Sequence, residues 1–380
     1  MSAAKVLGGV LLKQEAESGP SVAALAAELV AENREAALTT GPAVNVGAGL
    51  KLLDAAQAGD VGFAQQLLRM GASPDQEEHG FTPLILAARE GKLDVLKLLL
   101  ERGAKVQPDD ATAQADTALI AAVESGSDRA RLDAVGEAYA AIALAAGEDD
   151  SVCKKAADDA MDRWRKQQNS IMSVLLDANA DPNRRDSGGW TALMYAAHGG
   201  NNLAARVLLR HGAEPDARTP TGRSPLMLAA DVGARGIVKL LLDRAREGQG
   251  DVELDAQDED GQTALMAAAE NNDVECMELL LAPRDHGVEG ANPDVQAKSE
   301  STALMAACQE KADDAARFLV EHGASLDLQR ETKANALSVS FVHGESKGGK
   351  EVVLAAFLRI RGATDPRKPP KGEQAEDKGV

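Results

Sequence analysis

The sequence predicts an all-α repeat solenoid: helix-turn-helix units joined by short hairpin loops. Two observations carry this. A short segment of the form Thr-x-Leu-Met or Thr-x-Leu-Ile recurs along most of the 380 residues, and each copy is followed by a second apolar run that usually closes on Gly-Ala. Composition agrees. Aromatic residues make up 2% of the chain, with two Trp, two Tyr and five Phe. A large globular core leans on aromatics because each buries so much area. A chain built on Ala and Leu points instead to thin helices packed closely. Length alone would suggest two or three globular domains, but a repeat array uses the same length as one elongated unit.

The repeat is read from its anchors. Thr191-Ala-Leu-Met-Tyr-Ala-Ala recurs as Ser224-Pro-Leu-Met-Leu-Ala-Ala, Thr263-Ala-Leu-Met-Ala-Ala-Ala and Thr302-Ala-Leu-Met-Ala-Ala. Upstream copies are Thr82-Pro-Leu-Ile-Leu-Ala-Ala and Thr117-Ala-Leu-Ile-Ala-Ala, and a degenerate one is Asn335-Ala-Leu-Ser-Val-Ser. The second runs fall at 95–100, 174–176, 207–209, 238–242, 277–281, 318–320 and 352–358. Closing glycines stand at 71, 103, 212, 290, 323 and 362. Each Thr or Ser is placed to cap a first helix through its side-chain oxygen, and Pro83 and Pro225 suit a first helical turn. Glycines at 91, 126, 200 and 233 are expected to break the first helix. The later glycines are expected to end the second helix in the left-handed conformation.

Successive anchors lie 35, 74, 33, 39, 39 and 33 residues apart. A period of about 33 residues with a Thr-Pro-Leu-His-x-Ala signature defines the ankyrin repeat. The array resembles the ankyrin-repeat family over roughly residues 49–365, with about seven repeats. Residues 50–75 read as an N-terminal capping repeat that keeps Leu53-Asp-Ala-Ala and Gly71-Ala but lacks the Thr. In the family, a His after Pro-Leu ties neighbouring loops together. Here Ile85, Ile120, Met194, Met227, Met266, Met305 and Ser338 take its place, so apolar packing is expected to substitute. This Met and Ile ladder is either inter-repeat packing or a soft lip for a partner helix, since Met repacks easily.

The intervals of 39 imply longer surface loops, at 246–250 and 283–287. The interval of 74 leaves an insert at about 127–170 with helical spacing: Leu132, Val135, Tyr139 and Ile142 follow it, then Ala157, Met161, Trp164, Gln168, Ile171 and Leu175. We read a helical hairpin whose second arm runs into the repeat's own second helix. Its apolar residues either bury against each other or meet a partner, Trp164 foremost. Residues 1–48 hold one amphipathic helix, 21–38, which either covers the first repeat or docks elsewhere. Residues 366–380 mix Pro, Lys, Glu and Gly and are expected to be disordered.

A formal net charge of −19 argues against nucleic-acid partners and anionic membranes and favours basic ones. No stretch of 18 or more apolar residues spans a membrane, and the N-terminal residues read as neither signal nor transit peptide. Cys153, Cys276 and Cys308 are far apart, with no metal-ligand spacing. We read them as reduced thiols, which implies the cytoplasm or nucleus. Gly344-Glu-Ser-Lys-Gly-Gly-Lys-Glu351 resembles a phosphate-cradling loop, but Glu351 replaces the hydroxyl that would meet magnesium. No Ser, His and Asp set stands out either. The sequence therefore predicts no enzyme, no cofactor and no metal.

The expected function is that of a scaffold or adaptor for a protein partner. In the family, partners meet the hairpin tips and the concave face of the first helices. That resemblance selects Phe81, Arg89 and Glu90; Asp116 and Glu124; Trp190, His198 and Gly199; Arg223, Asp231 and Val232; Gln262, Glu270 and Asn271; and Gln309 with Glu310. Phe81 and Trp190 stand out in a chain so poor in aromatics, because aromatics are frequent interface hot spots. Sequestration of a basic segment and service as a structural subunit of a large assembly are the alternatives.

Overall fold

The computed structural model describes residues 45–106, 117–128, 150–246, 252–282 and 290–329, with residues 133, 134, 136–138, 140, 141, 335, 336, 358, 361 and 362. The amphipathic segment 21–38, Asp116, residues 344–351 and the tail lie outside them, as do Leu132, Val135, Tyr139 and Ile142.

Each repeat is a pair of antiparallel helices. The first pair is α1 (Asn45–Ala58) and α2 (Val61–Arg69), followed by α3 (Pro83–Arg89) with α4 (Leu93–Glu101). Then come α5 (Ala118–Ser127) with α6 (Asp150–Asp177), and α7 (Ala192–His198) with α8 (Asn202–Arg210). The array continues with α9 (Pro225–Asp231) and α10 (Arg235–Arg246), α11 (Ala264–Glu270) and α12 (Val274–Leu281), and α13 (Ala303–Glu310) and α14 (Asp313–Glu321). First helices pack on first helices, and second helices on second helices, from one repeat to the next. Among the described residues the only bridges of β type are isolated ones at loop tips, Glu78 with Phe81 and Arg185 with Thr191. The chain is an all-α repeat solenoid.

Helices of seven residues are too short to persist alone, so their ends matter. Thr82, Thr117, Thr191, Ser224, Thr263 and Thr302 each accept a hydrogen bond from the amide three residues on, at 3.2–3.4 Å. At the far end of the second helices, the amides of Ala72, Ala104, Ala213 and Ala324 return to carbonyls five residues back. The glycine before each has φ between +83 and +91°, where any other residue is strained. In the third repeat Asn179 fills that place at φ +66°.

The Met and Ile ladder is core. Met194, Met227, Met266, Ile85 and Ile120 are each 3% exposed or less, packed between neighbouring first helices. This corrects the reading of Met194, Met227 and Met266 as a partner-contacting lip: no partner reaches them without opening the stack. The sulfurs of Met194 and Met227 also lie 3.3 and 3.5 Å from the amides of Thr191 and Ser224, adding a weak acceptor to each helix cap.

The insert departs from the repeat at α5. Gly126 does not break that helix, which runs on to Ser127 because Gly126 sits against the Gln168 side chain, with Asn201 Nδ2 close by. The chain returns as α6, 28 residues in one helix, about 42 Å long at 1.5 Å per residue. Its C-terminal part is the second helix of the third repeat, with Ile171, Met172 and Leu175 fully buried. Its N-terminal part packs on the outgoing arm: a side chain at Gly136 would meet Met161 and Ala157 at 3.4–3.5 Å.

Candidate functional site

One pattern recurs in three repeats: the side chain of the residue before the capping Thr or Ser meets the residue eight further on, at the end of the first helix. The Arg89 guanidinium lies over the Phe81 ring, 5.6 Å from its centroid. Trp190 meets His198 edge to face at 5.8 Å and Tyr195 at 5.1 Å. Arg223 pairs with Asp231 at 2.9 Å. Gln262 and Glu270 hold the same two places in the next repeat. Asn271 ties two of these repeats by donating to the Asp231 carbonyl at 2.7 Å. Phe81 and Trp190 are therefore half-buried, packed on their own repeats rather than standing free. The Tyr195 hydroxyl donates to Asp186 at 2.6 Å, and the same carboxylate accepts from the Trp190 amide at 2.8 Å, fixing the aromatic group on the lip.

Sequence reasoning expected apolar packing to replace the His that ties loops. The structure shows a polar ladder as well. Arg185 donates to the carbonyls of Gly189 and of Arg218 in the next loop. Arg218 reaches Glu253 in the following one at 3.0 Å. Gln257 donates to Gly261 and to Gln296, at 2.9 and 2.8 Å. These residues stand six before Thr191, Ser224 and Thr263. That fixed offset of long polar side chains was the signal available in the sequence. A second ladder links loops to the next repeat, with Asp75, Asn183, Asp255 and Asp294 accepting from backbone amides 30–37 residues away at 2.7–2.8 Å.

The ends of the first helices carry Glu90, Glu124, Asp231, Glu270 and Glu310. Loss of water against the groove wall pushes the Glu270 carboxyl up. The charges of Glu310 and Asp231 push it further, with Arg223 opposing. Gln309 is exposed beside this row.

At the foot of the groove, where the third, fourth and fifth repeats meet, lies a cleft of about 770 Å³. It is lined by Glu124, Ser127 and Asp128 of the third repeat, Tyr195, His198 and Gly199 of the fourth and Val232 to Gly236 of the fifth. The insert leaves the array beside Ser127 and Asp128. Gly199 is required here by close approach rather than by its φ of −85°, because a Cβ would collide with Ser127. Gly199 thus serves the junction between two repeats.

Trp164 turns inward, which corrects its reading as a contact on a free arm. Its Nε1 donates to the Ser125 carbonyl at 3.1 Å, and its ring lies against Gly91 of the preceding repeat. Gln167 donates to the Gly91 carbonyl, and Gln168 to that of Arg89 at 3.3 Å. Neighbouring side chains thus clamp the insert across two first helices. Among the described residues, no group of three or more His, Cys, Asp or Glu is placed to hold a metal, and no helix is long and apolar enough to cross a membrane.

The architecture is that of a helical-repeat protein, and comparison with known proteins gives the family. The model for ankyrin repeats in three copies matches residues 52–134, 161–251 and 247–330. The chain belongs to the ankyrin-repeat family. The first two matches leave residues 135–160, the distal part of the insert, between them. A curated relative is "Ankyrin repeat, SAM and basic leucine zipper domain-containing protein 1" of Equus caballus, 32% identical over 145 residues. That match covers 38% of this chain and 22% of the relative.

Proposed function

We propose that this chain is a scaffold that binds a protein partner along its concave face. Ankyrin repeats generally mediate protein–protein interaction. The observation that carries the reading to this surface is the paired lip. Phe81 with Arg89, and Trp190 with Tyr195 and His198, hold large flat side chains in fixed orientation while leaving them half-exposed. Aromatic and Arg side chains held rigid at a rim lose little entropy on binding and dominate interface energetics. The family is typically a non-enzymatic scaffold. The test is a quantitative capture from native extract with the wild-type chain and with Phe81→Ala combined with Trp190→Ala. Partners lost from a double variant that melts as a folded protein support the groove. An unchanged set of partners places recognition elsewhere on the chain.

A further inference from the structure

The charged groups of the cleft at the foot of the groove are already engaged. Arg235 is bonded to Asp273 at 2.9 Å and to Glu275. Glu124 and Asp128 have partners within the protein, and the Tyr195 hydroxyl donates to Asp186. The amides of Gly199, Gly200 and Gly233 donate to carbonyls of their own first helices. A charged ligand would have to displace one of these bonds. His198 and Asn202 are exposed, so their polar atoms stay in water. What remains for a ligand is largely carbon: the rings of Tyr195 and His198, the side chains of Val232 and Ala234, and glycine backbone. Val232 is 44% exposed, a large apolar side chain left in water, and Trp190 packs beside both rings. An apolar side chain enters such a cleft without stripping an unpaired polar group of its water.

We propose that this cleft is the anchor pocket for one aromatic side chain of a partner segment, with basic residues flanking that anchor, a refinement that rests on the groove reading above. An aromatic side chain is favoured over an aliphatic one because ring pairs gain energy beyond the area they bury, and the cleft offers two rings with a third behind them. Charge sets the flanks. The first helices of the next repeats end on Glu270 and Glu310, neither of which is in an ion pair among the described residues. Glu310 and Asp231 crowd Glu270 with like charge. Lys or Arg beside the anchor relieves that crowding and an acidic segment worsens it.

The probe is a capped pentapeptide, Gly-Lys-X-Lys-Gly, with 4-fluorophenylalanine at X, added to the full chain and followed by fluorine NMR. Unlabelled peptides with Phe, Leu or Ala at X compete against it. On wild type the Ala peptide should compete about tenfold more weakly than the Phe one, the margin of burying about half a Phe side chain. The Leu peptide should fall about threefold short of Phe, for want of the ring pairing. Replacing both Lys by Glu should weaken the Phe peptide about tenfold at about 0.05 M salt, and that gap should close as screening shortens at about 0.5 M. Val232→Asn should cut the preference for Phe over Ala to about threefold or less, by removing carbon from the cleft. Leu203→Asn makes a like change at a side chain 48% exposed but outside the cleft and should leave the preference intact. Thermal melts verify that each variant is folded. Equal loss in the two variants would show diffuse adsorption and overturn the pocket. So would a failure of the fluorinated peptide to bind, Leu matching Phe, or no preference for Lys flanks. In each of those cases the groove reading still stands or falls on the Phe81 and Trp190 capture.

Discussion

If Trp164 holds the insert to the array, truncating it should loosen the insert first and the second and third repeats with it. Two contributions can be separated. The Nε1 bond to the Ser125 carbonyl, 3.1 Å long, is a hydrogen bond to a buried residue, worth about 1 kcal/mol. Trp164→Phe removes that bond, keeps most of the ring, and should cost about that much. Truncating a fully buried Trp costs about 3–5 kcal/mol. Trp164 is half-buried, with ring carbons lying against the position of Gly91, so Trp164→Ala should cost about 2–3 kcal/mol by the same measure. Urea denaturation followed by circular dichroism gives the loss. Amide hydrogen exchange locates it, because a repeat array opens region by region. Amides of 150–164 should exchange faster in the Ala variant, and those of α11 to α14 should not. The reasoning fails if Trp164→Ala stays within about 0.5 kcal/mol of wild type, the range of an ordinary surface substitution, and the arm is equally protected.

Other outcomes follow from single contacts. Gly199→Ala should destabilise by about 1–3 kcal/mol through overpacking against Ser127, and Ser127→Gly should restore part of that loss. If Ser127→Gly instead rescues Gly212→Ala equally, the effect is not that contact, since Gly212 has open space around it. Burial, with the charge of Asp273 added and Arg235 opposing, pushes the Cys276 thiol up to about 12, and burial with Asp313 does the same for Cys308. The thiolate is the reactive form, so neither should react with Ellman's reagent at pH 8 until urea unfolds the chain; prompt reaction in the native state refutes this. Because the folded-state value of Glu270 lies above its ordinary 4.5, the native chain holds that proton more tightly than the unfolded one. This site's effect on stability is therefore absent below the ordinary value and becomes unfavourable as pH rises through the raised one. Glu270→Gln should raise the melting temperature at pH 7 and leave it unchanged near pH 4; equal gains at both would sink the argument.

What the sequence settled was periodic. A capping hydroxyl, a Leu two residues on and a Gly after the second helix repeat at fixed offsets, and local hydrogen bonding follows from offsets alone. The helices were therefore legible, but the packing of Phe81 on Arg89 and of Trp190 on Tyr195 and His198 within their own repeats was not. Nor was burial. Met194, Met227 and Met266 occupy the same register as a family side chain that bonds neighbouring loops, and only the distance between adjacent first helices decided that they are core. The inward turn of Trp164 was equally hidden, because it depends on Gly91, 73 residues earlier in the chain, where any side chain would meet the ring at 3.1–3.2 Å. Gly126 illustrates the limit most clearly. Its local signal is that of a helix breaker, but the side chain of Gln168 packs against it and the helix runs on. Local offsets specify a unit and its caps. Which faces of that unit remain for a partner depends on contacts between residues distant in sequence, and those exist only once the repeats are stacked.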